Sequence, residues 1–422
     1  MHRRAFMSRI TQTLLALTTP LFSIAGSSTE KARSLPIKAT TGSQNNMNQT
    51  AIDSSLITLF LCGDVMTGRG IDQILIHPSD PQIYEPYVRN AYSYVELAER
   101  MNGPIPSPVD FSYIWGDALE ELERITPDVR IINLETAITR SNDYWPGKGI
   151  NYRMHPDNIP YLTAAKIDCC ALANNHLLDW GYTGQKETLQ TLARAGIKVA
   201  GAGQNSKEAK APAVMEITGK GRVILLSYGS VTSGIPWEWA AQANKPGVNL
   251  LPDLSEKTVR QIAQEAEQIK QPGDILVASI HWGGNWGYHI PPAQTAFAHR
   301  LIDETDINII HGHSSHHPKG IEVYRKRPII YGCGDFLNDY EGISGHEAYR
   351  GDLALMYFVT LDTSTGKLVN FEMTPTRTKR FRVNLASEDD AQWLRDMLAR
   401  EGERMGTTVK LKKDNRLVLQ WG

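Results

Sequence analysis

The chain lacks most of the features that announce a function at once. It has four cysteines in 422 residues, with no C-x-x-C pair, each inside or at the end of an apolar run. That argues against a disulfide framework or a thiolate metal site and for small buried hydrophobes. A formal charge of −2 supplies no basic face, so nucleic acid is not an expected partner. The weakly apolar stretch ITQTLLALTTPLFSIAG is shorter than the ~20 residues a spanning helix needs. H-E-x-x-H, P-loop and G-x-S-x-G signatures are absent. The G-x-G of VAGAGQNS fails as a dinucleotide loop because Ser206 stands where the last glycine belongs.

What is present begins with a segment unlike a domain. Residues 1–26 place Arg3 and Arg4 before Ala-Phe-Met, then the short apolar stretch, then SIAG. This order reads as an export signal resembling the twin-arginine type, and predicts an exported protein, periplasmic or extracellular. Residues 27–52, polar and aperiodic, read as a flexible linker. From Leu56 onward strand-like runs alternate with helix-like ones, which predicts an α/β layered fold. The main domain is expected over 53–385, with a C-terminal helix and strand-like tail, 386–422, packing on it. VMEITGKGRVILLSYGS, GIEVYRKRPIIYGCGDF and a long pair turned at Ser364–Gly366 read as hairpins, so mixed sheets are expected. Residues 77–115, rich in Tyr, Pro and Asn, read as an insertion beside the first loop.

The chemistry-bearing residues gather at the ends of the strand-like runs. Asp64 follows LITLFLCG, Glu135 ends DVRIINLE, and Asn175 with His176 follow DCCALAN. His281 ends DILVASIH, and His313 and His316 lie in HGHSSHHPKG. Oxygen and imidazole ligands delivered from separate strand ends are what a hard-to-borderline metal requires, and that edge of an α/β sheet is where ligands bind. Asp64, Glu135, Asn175, His281, His313 and His316 are therefore the candidate metal ligands. Asp179 stands three residues past His176, within reach of its imidazole if the segment is helical. Arg69, in GDVMTGRG, offers a planar donor fork to an anion. Asp335 in YGCGDF is a further carboxylate, equally readable as a turn residue.

The ordered strings GDVMTGR, NLE, NNHLLDWG, HWG, GHSSHHPKGIEVY and IIYGCGDF resemble the CapA family, associated with poly-γ-glutamate capsule synthesis. The family is similar in fold to calcineurin-like metallophosphoesterases, which implies a four-layer α/β/β/α sandwich with a two-metal site. Carried across by motif, the opening D-x-H falls on Asp64-Val65-Met66, with methionine in place of histidine. The bridging aspartate corresponds to Glu135. G-N-H falls on Asn174-Asn175-His176, the isolated histidine on His281, and G-H-x-H on Gly312 to His316 with one extra residue. Asp335 stands where most capsule relatives carry asparagine. Met66 weakens one metal position, because a thioether is a poor ligand for hard cations; Asp335 is a carboxylate able to compensate.

The resemblance implies a divalent cofactor, one or two ions of Mn, Fe or Zn. It also implies a metal-dependent hydrolase acting on a phosphoester, or on an amide of an anionic γ-glutamyl polymer or peptide. In that reading His176 and Asp179 move the proton and Arg69 neutralises developing charge. Two alternatives stay open. One is a non-catalytic polymer-binding component of a membrane-associated capsule synthesis complex. The other is a metal-dependent peptide epimerase.

Overall fold

The structure, a computed structural model, describes residues 55–422; the export signal and linker expected over 1–52 lie outside the described residues. The chain opens with β1 (Leu56–Val65), whose run LITLFLCGDV is almost continuously apolar because both its faces are covered. Then β2 (Val129–Leu134), β3 (Cys169–Ala171) and β4 (Lys198–Ala200) add to it in parallel. The second sheet comprises β5 (Ala213–Ile217), β6 (Gly221–Gly229), β7 (Ile275–His281), β8 (Ile309–His313), β9 (Ile321–Tyr324) and β10 (Arg327–Ile330), in the spatial order β9-β10-β8-β7-β6-β5.

The chain returns to the first sheet through β11 (Asp335–Leu337), β12 (Leu353–Asp362), β13 (Lys367–Thr378) and β14 (Val383–Leu385), then the terminal hairpin β15 (Thr407–Leu411) and β16 (Leu417–Trp421). The order there is β15-β16-β13-β12-β1-β2-β3-β4, with β11 beside β1 and β14 beside β13. The three expected hairpins are antiparallel pairs, β5–β6, β9–β10 and β12–β13, joined to parallel strands.

Alternation along each strand builds the layers. Leu59, Leu61, Val129 and Ile131 meet Val223, Leu225, Val277 and Ile309 between the sheets. Phe60 and Ile132 point the other way, onto α1 (Tyr92–Asn102), α2 (Ala118–Ile125) and α3 (Gly181–Arg194) through Tyr94, Leu122 and Leu192. On the far side Ile224, Leu276 and Ile310 pack against α4 (Glu256–Glu267) and α5 (Pro292–Thr305) through Val259, Ile262, Phe297 and Leu301. Each such buried side chain stabilises the fold by about 1.5–3 kcal/mol. The result is the four-layer α/β/β/α sandwich with mixed sheets. Adjacent Cys169 and Cys170 fall in different cores, and all four cysteines are free and buried.

A C-terminal helix, α6 (Glu388–Gly402), starts at Ser387, whose hydroxyl accepts from Asp390 N, and inserts Leu394, Met397 and Leu398 into the inter-sheet core. The 77–115 segment is more than a surface excursion: it contains α1 and sends Glu85 and Tyr94 into the interior. Among the described residues no helix is long and apolar enough to cross a membrane.

Candidate metal centre

Backbone geometry at the end of β1 creates the site. The β1–β2 register shifts between Leu61 and Asp64, a bulge that re-aims the aspartate. On the other side Asp64 is paired with Asp335 of β11, and Asp64 N donates to Gly334 O at 3.0 Å. Only glycine permits that approach, since a Cβ on Gly63 would lie 1.6 Å from Gly334 O. After β8 the chain turns at Ser314 with φ 103°, an unusual conformation for a non-glycine residue, and Ser314 N donates to Asp64 Oδ2 at 3.1 Å.

Asp64 belongs to two groups of potential ligands. Its carboxylate, His281 and His313 form one; its carboxylate, Glu135 and Asp335 form the other. Within each group the donor atoms lie within 4.8 Å of one another, and all five residues are buried. The imidazoles of the first group are oriented by a hydrogen-bond chain with one consistent proton assignment. Cys62 O can only accept, so His311 Nε2 donates to it (2.7 Å). Burial pushes the His311 pKa down to about 4, so the ring is neutral and its Nδ1 accepts from the Ser279 hydroxyl (3.1 Å). Ser279 Oγ then accepts from His313 Nε2 (2.8 Å), which leaves the His313 Nδ1 lone pair facing Asp64. His281 Nε2 donates to Asn175 Oδ1 (2.8 Å), and its Nδ1 lies 2.8 Å from His313 Nδ1. Two imidazole lone pairs therefore converge beside a carboxylate.

The second group is crowded by like charge. Burial and Asp335 raise the pKa of Asp64, and burial with Asp64 and Asp335 raises that of Glu135. Asn133 Nδ2 donates to Asp64 Oδ1 at 2.6 Å, offsetting part of that cost. His316 does not enter either group. Its Nδ1 reaches the Asp335 carboxylate at 2.9 and 3.0 Å, its Nε2 faces Asn285 Nδ2 at 3.0 Å, and Asn338 Nδ2 donates to Asp335 Oδ2 at 2.9 Å. It orients a carboxylate that the sequence left open as a turn residue. Asn175 likewise spends its oxygen on His281.

Beside the centre His176 Nδ1 donates to Asp179 Oδ2 at 2.6 Å, through a turn rather than a helix, and its Nε2 lies 3.7 Å from Glu135 Oε1. Tyr152 stacks on the ring at 3.9 Å and its amide donates to Asp179 Oδ2 (2.6 Å). Lys148 Nζ pairs with Asp179 Oδ1 at 2.5 Å and sits 3.0 Å from His176 Nδ1. Burial, with Lys148 opposing Asp179, pushes the His176 pKa down to about 4, so its Nε2 is an open lone pair near neutral pH.

Arg69 is placed otherwise than the anion-binding role requires. Its Nε donates to Asp339 Oδ2 (2.9 Å), its Nη1 to Glu85 Oε1 (2.8 Å), and Tyr94 lies beneath the guanidinium at 3.5 Å. Its side chain is 2% exposed, so the anions it meets are the protein's own. Met66 is buried in the outer core of the first sheet, away from any ligand role.

The donor set fits a divalent cation. Three carboxylates, two of them held above their ordinary pKa, and two inward lone pairs lack only positive charge. One position offers two nitrogens and an oxygen and the other oxygens alone; both suit a borderline or hard ion. Sequence reasoning missed Lys148, Tyr152, Ser279, Asn133 and Asn338. The sole local signal was Ser279, two residues before His281 and so on the same strand face.

The family model for "Bacterial capsule synthesis protein PGA_cap" matches residues 58–340. A "probable polyglutamine synthesis accessory protein" of Mycobacterium tuberculosis is 48% identical over 363 residues, 86% of this chain and 95% of that protein. The "PGA biosynthesis protein CapA" of Bacillus subtilis is 29% identical over 328 residues, 78% of this chain and 73% of its own length. Among solved structures, one described as a novel phosphatase from Mycoplasma pneumoniae aligns at 11% identity with a TM-score of 0.42, covering 77% of this chain and 96% of that one.

Proposed function

The chain belongs to the bacterial capsule synthesis protein family, and from that premise we propose that it is an exported accessory protein of polyglutamate capsule synthesis with a metal-dependent hydrolytic site. One observation carries the hydrolytic part. A single carboxylate, Asp64, is shared by two adjacent ligand groups, and the oriented imidazole of His176 stands at their rim. A divalent ion there would supply Lewis-acid polarisation of a phosphoryl or carbonyl oxygen.

The chain's own residues do the rest. His281 and His313 would hold the ion through Nδ1, each ring fixed by the bond its Nε2 makes. Glu135 and Asp335 would add oxygen ligands, the latter held by His316 and Asn338. Asp179 fixes the His176 tautomer, so Nε2 can take the proton of a water that attacks the phosphoryl or carbonyl centre and return it to the oxygen or nitrogen that leaves as its bond to that centre breaks. Tyr152 covers the other face of that ring from water. Arg69 acts at a distance, tying Asp339 and Glu85 behind the site.

Metal analysis of the purified protein beside Asp64→Asn, with turnover of a phosphomonoester and of γ-linked polyglutamate, tests this reading. Bound metal in the wild type, none in the variant, and turnover of one substrate lost in His176→Ala are expected. Metal without turnover of either substrate would leave the polymer-binding alternative standing, and no metal at all would end the hydrolytic reading. Fractionation of the producing cells tests the exported location.

A further inference from the structure

Beside the second ligand group lies a cavity of about 350 Å³ whose walls include Trp286, Tyr340, Ile343, His346, Met101 and Asn338. Small-ligand sites span roughly 300–1,000 Å³, so it is large enough for one substituent. It abuts the centre through shared residues. Asn338 donates to Asp335 (2.9 Å), Tyr340 meets the His316 ring edge-on at 5.2 Å, and Trp286 lies 5.3 Å from the same ring. The Trp286 wall is held in place. Gly287 N donates to His317 Nε2 at 3.1 Å, His316 N donates to Asn285 O at 2.9 Å, and Trp286 stacks on His346 at 4.0 Å. His317, a histidine of the motif outside the ligand groups, thus anchors the loop WGGNWGY (residues 282–288) that carries Trp286.

Both arginines in the walls of this cavity are paired, and its other charged groups, Glu341, Glu347 and Asp352, are carboxylates. Arg350 pairs with Asp352 (2.9 Å) and Asp390 (2.6 Å), and Arg377 with the same two carboxylates at 3.0 and 3.4 Å. Glu341 accepts from Arg380 N and Phe381 N, both at 2.7 Å. Apolar surface remains open at the mouth, with Ile343 48% and Met101 64% exposed, beside the exposed Glu347, whose Oε1 accepts from Gly345 N at 2.9 Å. An anion entering would lose hydration against no free countercharge, whereas an apolar group would gain from burial.

We propose that this cleft is the subsite for an uncharged, apolar substituent attached to the group the metal centre engages, and not for a further anionic residue of a polymer. The proposal rests on the metal-centre reading for the attached group, while the cleft's preference stands on its own walls. Three probes separate the two in calorimetric titrations of the Mn²⁺-supplied protein: methylphosphonate reads the metal centre, naphthalenemethanol reads the cleft, and naphthylphosphonate reads both. Naphthylphosphonate should bind at least tenfold more tightly than methylphosphonate. The surface double variant Met101→Ser/Ile343→Ser should remove that advantage and the binding of naphthalenemethanol while leaving methylphosphonate unchanged. Equal affinity of the two phosphonates, or an advantage untouched by the double variant, would overturn the cleft. Failure of methylphosphonate alone would count against the metal-centre reading, with naphthalenemethanol still deciding the cleft.

Discussion

Two clusters of charged residues are buried near the same edge of the first sheet, and they are built on opposite terms. Around Arg69 a guanidinium is enclosed by Asp339 and Glu85, so each charge has its opposite within 3 Å. Around Asp64 three carboxylates converge with two imidazole lone pairs, and burial together with the neighbouring carboxylates raises the pKa of Asp64 and Glu135. The first cluster is complete as folded. The second becomes balanced only with a bound ion. Burial alone therefore does not mark a functional charge; the missing countercharge does.

The sharpest break in that comparison is Arg69→Met. It leaves two buried carboxylates without their cation and should destabilise the protein by about 3–5 kcal/mol in urea unfolding, with or without metal. Asp64→Asn should change the metal-free stability by less than about 1 kcal/mol, yet abolish the gain from metal. That gain is about 2.7 kcal/mol at a hundredfold excess over Kd, read as the difference in Tm with and without ion. A large loss in the metal-free variant would show that Asp64 is structural in the manner of Arg69.

Smaller effects sharpen the contrast. Lys148→Met removes the partner of Asp179, costs about 1.5 kcal/mol, and should raise the His176 pKa, because Lys148 lowers it; a pH titration by NMR reads the shift. In the metal-free protein Asp64 keeps its proton to higher pH than in the unfolded chain. Its contribution is therefore full below the ordinary carboxylate range, and stability falls as pH rises above it, by at most about 1.4 kcal/mol per pH unit for one group. Metal reverses the sign: binding displaces protons, so apparent affinity increases with pH. A pH-independent affinity would mean that the ligands are already ionised.

The layering was legible because burial imposes period. Runs such as LITLFLCGD and DILVASIH could only be covered strands, and SEDDAQWLRDMLAREG carries its own N-cap in Ser387. His281 and His313 were legible as strand-end histidines, and the His176–Asp179 spacing held although the segment is a turn. The division of labour among the ligands was not. Nothing local distinguishes His313, whose Nδ1 is left open, from His316, which holds Asp335. Likewise Arg69 beside Gly68 and Gly70 has the sequence of an anion site, and only Glu85 and Asp339, 16 and 270 residues away, show that it is already occupied.

By itself the sequence determined which residue types stand at the strand ends and on which strands, because hydrophobic period and chain order are local properties. Tertiary structure decided which of them meet. The approach of Gly63 to Gly334 joins strands far apart in the chain, and the turn at Ser314 and the proton chain from Cys62 O through His311 and Ser279 to His313 join strands of different sheets. Such distances and lone-pair directions, and the balance of charge they create, exist only once the two sheets have packed.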